Sequence, residues 1–152
     1  MESKPDRSWL SAIAPGWALP ELRLYPSEVQ LFRFSAVSWN AHRIHYDSAY
    51  AHSEGYRAPL VQSQLLGSLL SRVVTDWMGI HGQLTRFSWR NRAPAYVGEL
   101  LVARAVVRQI DRPAAVAELD LTVHNGAGAL LVQGTACITA RANDIHNEME
   151  TP

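Results

Sequence analysis

Cysteine is nearly absent from this chain of 152 residues: Cys137 is the one copy. It has no partner for an internal disulfide and no second thiolate for a metal site, so a reducing, cytoplasmic setting is the expectation. Excess charge is also missing, because 14 Lys and Arg balance 14 Asp and Glu. There is then no general electrostatic attraction to nucleic acid or to an anionic membrane, and any anion site has to be local. Long apolar runs are wanting too. The stretch Trp9 to Ala14 is interrupted by Ser11, stopped by Pro15 and preceded by Lys4, Asp6 and Arg7, which is too short for a signal segment. Nothing later approaches the ~18 uninterrupted apolar residues of a membrane helix. Repeats and low-complexity tracts are absent as well.

What is present is enough for one core: 47% of the residues are hydrophobic, and the length suits a single domain. Residues 1–26 hold Pro5, Pro15, Pro20 and Pro26, half of the eight prolines. Each fixes φ and removes a backbone donor, so this stretch reads as an N-terminal arm. The domain is expected over residues 27–142, with a C-terminal tail over 143–152.

Within the domain, Val29 to Val37 alternates Leu31, Arg33 and Ser35 against Phe32, Phe34 and Ala36, a two-residue period that predicts a strand ending near Trp39. The series Leu65, Leu66, Leu69, Leu70, Val73, Val74 and Trp77 recurs at three and four residues and predicts a broadly apolar helix, ended by Gly79. Ala117, Leu119, Leu121 and Val123 alternate with polar residues as a strand, and Asn125-Gly126 signals the turn into Leu130–Thr139. Leu84–Arg92 and Glu99–Ile110 add two more strands. Short connections make the sheet antiparallel, so the fold class is α+β with a curved sheet wrapped around one enclosed helix.

Chemistry concentrates in the eight positions Asn40 to Asp47, with two histidines, an amide, a guanidinium and a carboxylate. Three readings compete. One is a site. Another is a solvated turn in which Asn40 or Asp47 caps a helix running into Ser48–Ala51. The third is a metal centre from His42, His45 and Asp47, for which no further cluster supplies a ligand, so no metal is expected. Arg86, Arg90 and Arg92 share one strand parity and either face water or meet phosphates.

The run Phe-Arg-Phe-Ser-Ala-Val-Ser-Trp followed by Asn-Ala-His-Arg-Ile-His-Tyr-Asp, residues 32–47, resembles the MaoC-like hydratase and dehydratase family. With Tyr50, Glu54, Gly55 and Tyr56 it is most similar to the mesaconyl-CoA hydratase and mitochondrial-type 3-hydroxyacyl-thioester dehydratase branch. Leu60, Val61 and the helix after them, and Ala93 to Leu100, agree in order, so the resemblance spans about Leu24 to Thr139.

The resemblance implies a hot-dog fold and a reversible addition of water to a trans-2-enoyl-CoA, including dicarboxylic acyl groups such as mesaconyl. It implies no cofactor, since coenzyme A or an acyl-carrier thioester enters as part of the substrate. It also implies assembly, as a homodimer, a higher homo-oligomer, or a heteromer with a second hot-dog chain. His45 matches the family histidine and is the expected proton carrier. Asn40 stands where the family usually has aspartate, and is expected to orient water. Val61-Gln62-Ser63 replaces the family's Val-His-Gly, making the Ser63 N–H the expected oxyanion donor. His42, Arg43, Gln62 and Tyr56 are the expected substrate contacts, Arg43 for a second carboxylate. Those departures also suit a catalytically weak subunit that binds acyl-CoA or completes a heteromeric hydratase. A thioesterase would want a carboxylate on the central helix, where Asp76 is the one acidic residue and lies near the far end.

Overall fold

The computed structural model describes residues 8–141, so the tail expected over 143–152 and the first residues of the expected arm lie outside the described residues. The described elements are α1 (Ser8–Ser11), β1 (Leu22–Leu24), α2 (Glu28–Val37), a 3₁₀ turn at Arg43–His45, α3 (Ser48–Ser53), α4 (Ser63–Met78), a 3₁₀ turn at Gly79–His81, β2 (Gly82–Asn91), β3 (Leu101–Asp111), β4 (Val116–Asn125) and β5 (Leu130–Ala140).

The helix expected from the apolar stripe is α4. Leu65, Leu66, Leu69, Leu70, Val73 and Val74 are all buried along it, and Gly79 ends it at φ +54°. The five strands form one antiparallel sheet in the order β1-β3-β4-β5-β2, and α4 touches every one of them. A helix that contacts all five strands of one sheet requires the sheet to curl around it, as the α+β expectation stated. Ala117, Leu119, Leu121 and Val123 of β4 are fully buried, while their neighbours Asp120 and Thr122 lie on the other face. Burial of each such leucine contributes about 1.5–3 kcal/mol. Between β4 and β5 the Asn125 Oδ1 accepts from the N–H groups of Ala127 and Ala129, and Gly128 takes φ +84°.

One expected element is corrected. The run Val29–Val37 is not a strand but helix α2. The Ser27 Oγ accepts from the Gln30 N–H at 3.1 Å, and Glu28 sits in the first turn, where the helix dipole favours an acid. Leu31 and Ser35, one helical turn apart, are its buried residues, whereas Val29, Phe32 and Val37 are exposed. Leu31 and Ser35 satisfy a spacing of four as well as an alternation of two, so the apolar pattern misled and the cap decided. The strand that precedes the central helix is β1, paired with β3.

The described part of the Pro-rich stretch packs onto the domain. Leu10, Ile13 and Leu19 are in the core, and Arg112 donates to the carbonyls of Leu10 and Ile13. Among the described residues, no helix is long and apolar enough to cross a membrane.

Candidate active site

The polar segment after α2 builds a clamp. Asp47 caps α3 by accepting from the Tyr50 N–H at 2.9 Å, and the Arg43 guanidinium meets the same carboxylate at 2.6 Å. The Tyr50 N–H and then the Arg43 side chain hold the Asp47 carboxyl below the usual carboxylate range. His42 accepts from the Ile44 N–H through Nδ1, and the Asn40 Oδ1 accepts from the His42 N–H, both at 3.3 Å. These bonds wind Arg43–His45 into a 3₁₀ turn, and the turn sends His45 inward.

His45 is 9% exposed. Its Nδ1–H donates to the Leu60 carbonyl at 2.8 Å, and the Leu60 N–H returns a bond to the Ile44 carbonyl at 2.9 Å. A carbonyl can only accept, so the neutral ring carries its proton on Nδ1 and leaves the Nε2 lone pair free. Burial pushes the His45 pKa below its ordinary value; the bond to Leu60 opposes this, and His42 adds to the lowering. At neutral pH the side chain is a ready base.

Each of the four residues Leu60 to Ser63 is tied to a different part of the fold. Leu60 holds His45, and the Val61 N–H donates to the Ala95 carbonyl at 2.9 Å. The Gln62 Nε2 donates to the Leu31 carbonyl at 2.8 Å and to the Ser35 Oγ at 2.9 Å. The Ser63 Oγ accepts from the Trp89 Nε1–H at 3.2 Å and donates to the Asn91 Oδ1 at 3.3 Å. Ser63 begins α4, and Gln62 offers no side-chain cap. The N–H groups of Ser63, Gln64 and Leu65 therefore have no acceptor among the described residues, and they stand at the positive end of a 16-residue helix.

His45, Ser63 and Gln64 line one cavity of about 430 Å³, together with Tyr56, Asn91, Ala93 and Ala95 among others. A neutral imidazole and the first residues of a helix with free amides, lining one partly apolar cavity, suit proton transfer beside a carbonyl that gains negative charge.

The structure thus brings His45, Ser63 and Tyr56 together, and leaves four expected contributors outside this cavity. Asn40 borders a second hollow of about 350 Å³ with Phe32, Trp39 and Tyr46, because its oxygen is spent on the turn. His42 caps that turn, with its ring 6.2 Å from that of His45. Arg43 is held on the surface by Asp47 and lies over the Tyr50 ring. Gln62 is fully buried, and α2 takes both of its amide bonds, so it cannot touch a substrate in the cavity. Asp76 is exposed and faces Arg72 at 3.4 Å, away from the site.

The Leu60 carbonyl, Asn91 and Trp89 were not singled out from the sequence. Asn91 carried one signal, its place at the end of β2 just before the Ala93–Leu100 run, while a main-chain carbonyl carries none.

A family model described as Hydroxyacyl-thioester dehydratase type 2 matches residues 13–97, more than half of the chain. The chain belongs to this family. Among its relatives, the Mesaconyl-C(4)-CoA hydratase of Chloroflexus aurantiacus is 42% identical over 72 residues, covering 47% of this chain and 25% of that protein. The (R)-specific enoyl-CoA hydratase of Aeromonas caviae is 27% identical over 106 residues, covering 69% of this chain and 79% of that one. The match thus spans about a quarter of the length of the first and most of the second. A solved structure of an A. caviae (R)-hydratase involved in PHA biosynthesis superposes with a TM-score of 0.80 at 24% identity, covering 86% of this chain and 98% of that one. That likeness establishes the hot-dog fold of this dehydratase-family chain.

Proposed function

We propose that this chain is a hydro-lyase that adds water reversibly to the double bond of a trans-2-enoyl thioester. The observation that carries this reading is the cavity that His45 and Ser63 share at the start of α4. In the hydration direction the His45 Nε2 removes a proton from water as its oxygen bonds to the β-carbon of the enoyl group. The electron pair of the double bond moves toward the thioester oxygen, where the Ser63 N–H and the helix terminus stabilise the enolate charge. The imidazolium then returns its proton to the α-carbon, so HO and H have been added and His45 is neutral again. No resident cofactor takes part in this route. Coenzyme A, or an acyl carrier, is the handle of the substrate, and its thioester bond stays intact throughout.

Asn40 acts in this reading through the turn it holds rather than on water. For a dicarboxylic acyl group such as mesaconyl, the arginine that lines the cavity is Arg92, whose guanidinium donates to the Gln133 Oε1 at 2.8 Å, and not Arg43. Support for assembly comes from β2, a ten-residue strand at the edge of the sheet whose side chains are mostly exposed, including Trp89. A strand edge of that length invites pairing with a second hot-dog chain.

Loss of the conjugated-thioester absorbance of crotonyl-CoA or mesaconyl-CoA on adding the protein tests the reaction, with His45→Ala as the control. Sedimentation tests assembly. The second reading, a weakly active subunit completed by another chain, is favoured by the placement of Asn40 outside the cavity. It predicts no absorbance change from the isolated chain and recovery of activity on adding a partner hot-dog chain.

A further inference from the structure

Three polar side chains are buried among the described residues, Ser35, His45 and Gln62, and all three belong to the Leu60–Ser63 segment or bond to it. His45 has a chemical task in the reading above. Gln62 and Ser35 have none, yet Gln62 is wholly buried.

The orientation of the Gln62 amide follows from its neighbours. The Leu31 carbonyl can only accept, so Nε2 must face it, and Oε1 is turned the other way, where it has no partner among the described residues. A buried acceptor without a partner lowers stability, so an apolar residue of the same length would suit the fold as well or better. Glutamine also forgoes the usual task of a helix N-cap, because its side chain makes no bond to the first turn of α4.

What Gln62 does fix is its own backbone. It sits at φ −63° and ψ 140°, and ψ sets the plane of the peptide joining it to Ser63. That plane contains the Ser63 N–H. Two side-chain bonds to α2 on one side, and the Trp89–Ser63–Asn91 bonds on the other, leave this peptide little freedom to turn.

We propose that Gln62 is a positioning residue for the hydration reaction, anchoring the Gln62–Ser63 peptide to α2 so that the Ser63 N–H is aimed at the thioester oxygen. This rests on the hydratase reading and names a residue that acts through another, without touching substrate.

The test is Gln62→Met, which keeps the side-chain length and removes both bonds to α2 together with the orphaned oxygen. The Ser35 hydroxyl then has the Leu31 carbonyl, one turn back, as an acceptor. The expected result is an unchanged or higher Tm with kcat lower by about 10- to 100-fold, the scale of loss when a reacting group is misplaced by about an ångström. KM should stay within about threefold, since an interaction made chiefly in the transition state is the one lost.

A second measurement reads the carbonyl directly. With carbonyl-labelled crotonyl-CoA bound to His45→Ala, which leaves the substrate intact, the infrared carbonyl stretch should lie below that of the free thioester. In His45→Ala combined with Gln62→Met it should return toward the free value while the thioester still binds.

Equal kcat and equal stretch in the presence and absence of Gln62 would overturn the proposal. So would a loss of kcat that only follows a loss of Tm. Should Gln62→Met fail to fold, Ser35→Ala takes its place by removing one of the two bonds: a smaller fall in kcat at unchanged Tm supports the proposal, and an unchanged kcat overturns it. Failure of the hydratase reading looks different, because wild type would then leave both enoyl-CoAs unchanged and His45→Ala would not shift the stretch.

Discussion

The His45 Nδ1 lies 2.8 Å from the Leu60 carbonyl oxygen, three residues ahead of the amide that begins α4. That bond selects the tautomer whose Nε2 can act as a base, and it ties His45 to the same short segment that carries the proposed oxyanion donor. His45→Ala is expected to lower kcat for hydration by about 10²–10⁴-fold, the range for a general acid–base group, with the fold intact by circular dichroism.

The lowered pKa of His45 has two consequences with defined signs. The basic form persists below the ordinary value of 6.5, so the acidic limb of kcat/KM for hydration should fall at a pH below 6.5. In the unfolded chain this histidine takes up its proton at about 6.5. As pH falls through that value the unfolded state gains a proton that the folded state does not. Stability should therefore decline with falling pH from about 6.5 down to the folded pKa, and level off below it. Urea midpoints of wild type and His45→Ala, compared across this range, check the difference.

Ser63→Pro separates the amide from the side chain. Proline is accepted at the first position of a helix, and the residue before it needs extended backbone, which Gln62 already has at ψ 140°. The variant should fold, lose the N–H, and lose about 10²–10³-fold in kcat. Ser63→Ala keeps the N–H and should stay within about tenfold of wild type, losing only the hydroxyl bonds to Trp89 and Asn91. Equal activity of all three proteins would remove Ser63 from the mechanism.

Gly67 lies under the Trp89 indole, where an added Cβ would come within 2.7 Å of the ring. Gly67→Ala has to displace the ring that donates to the Ser63 Oγ. A loss of about 1–3 kcal/mol is expected from overpacking, read as a lower urea midpoint. Trp89→Leu combined with Gly67→Ala should recover part of it.

Ser27→Ala should cost about 1 kcal/mol in the same assay, because it removes the N-cap of α2. A strand in this place would have shown no such dependence on the Ser27 hydroxyl.

The long elements were legible because each has a stripe that only one period fits. Leu66, Leu70, Val73 and Val74 suit a helix alone, and Leu119, Leu121 and Val123 suit a strand alone. Helix α2 was not, since Leu31 and Ser35 satisfy both periods and the deciding feature was a single serine ahead of them. In the site, His45, Ser63 and Tyr56 were reached through a family resemblance, and the structure places them around one cavity. Asn40, Arg43 and Gln62 were expected on the same resemblance. Their bonds to His42, Asp47 and α2 take them elsewhere.

By itself, the sequence determined one enclosed helix and four long antiparallel strands, because periodicity is a property of neighbouring residues. The tertiary structure alone decided which polar groups remain free to act. That depends on partners such as the Leu60 carbonyl for His45 and Leu31 for Gln62, the latter 31 residues away in the chain, and each such bond consumes a donor or acceptor that local pattern still counts as available.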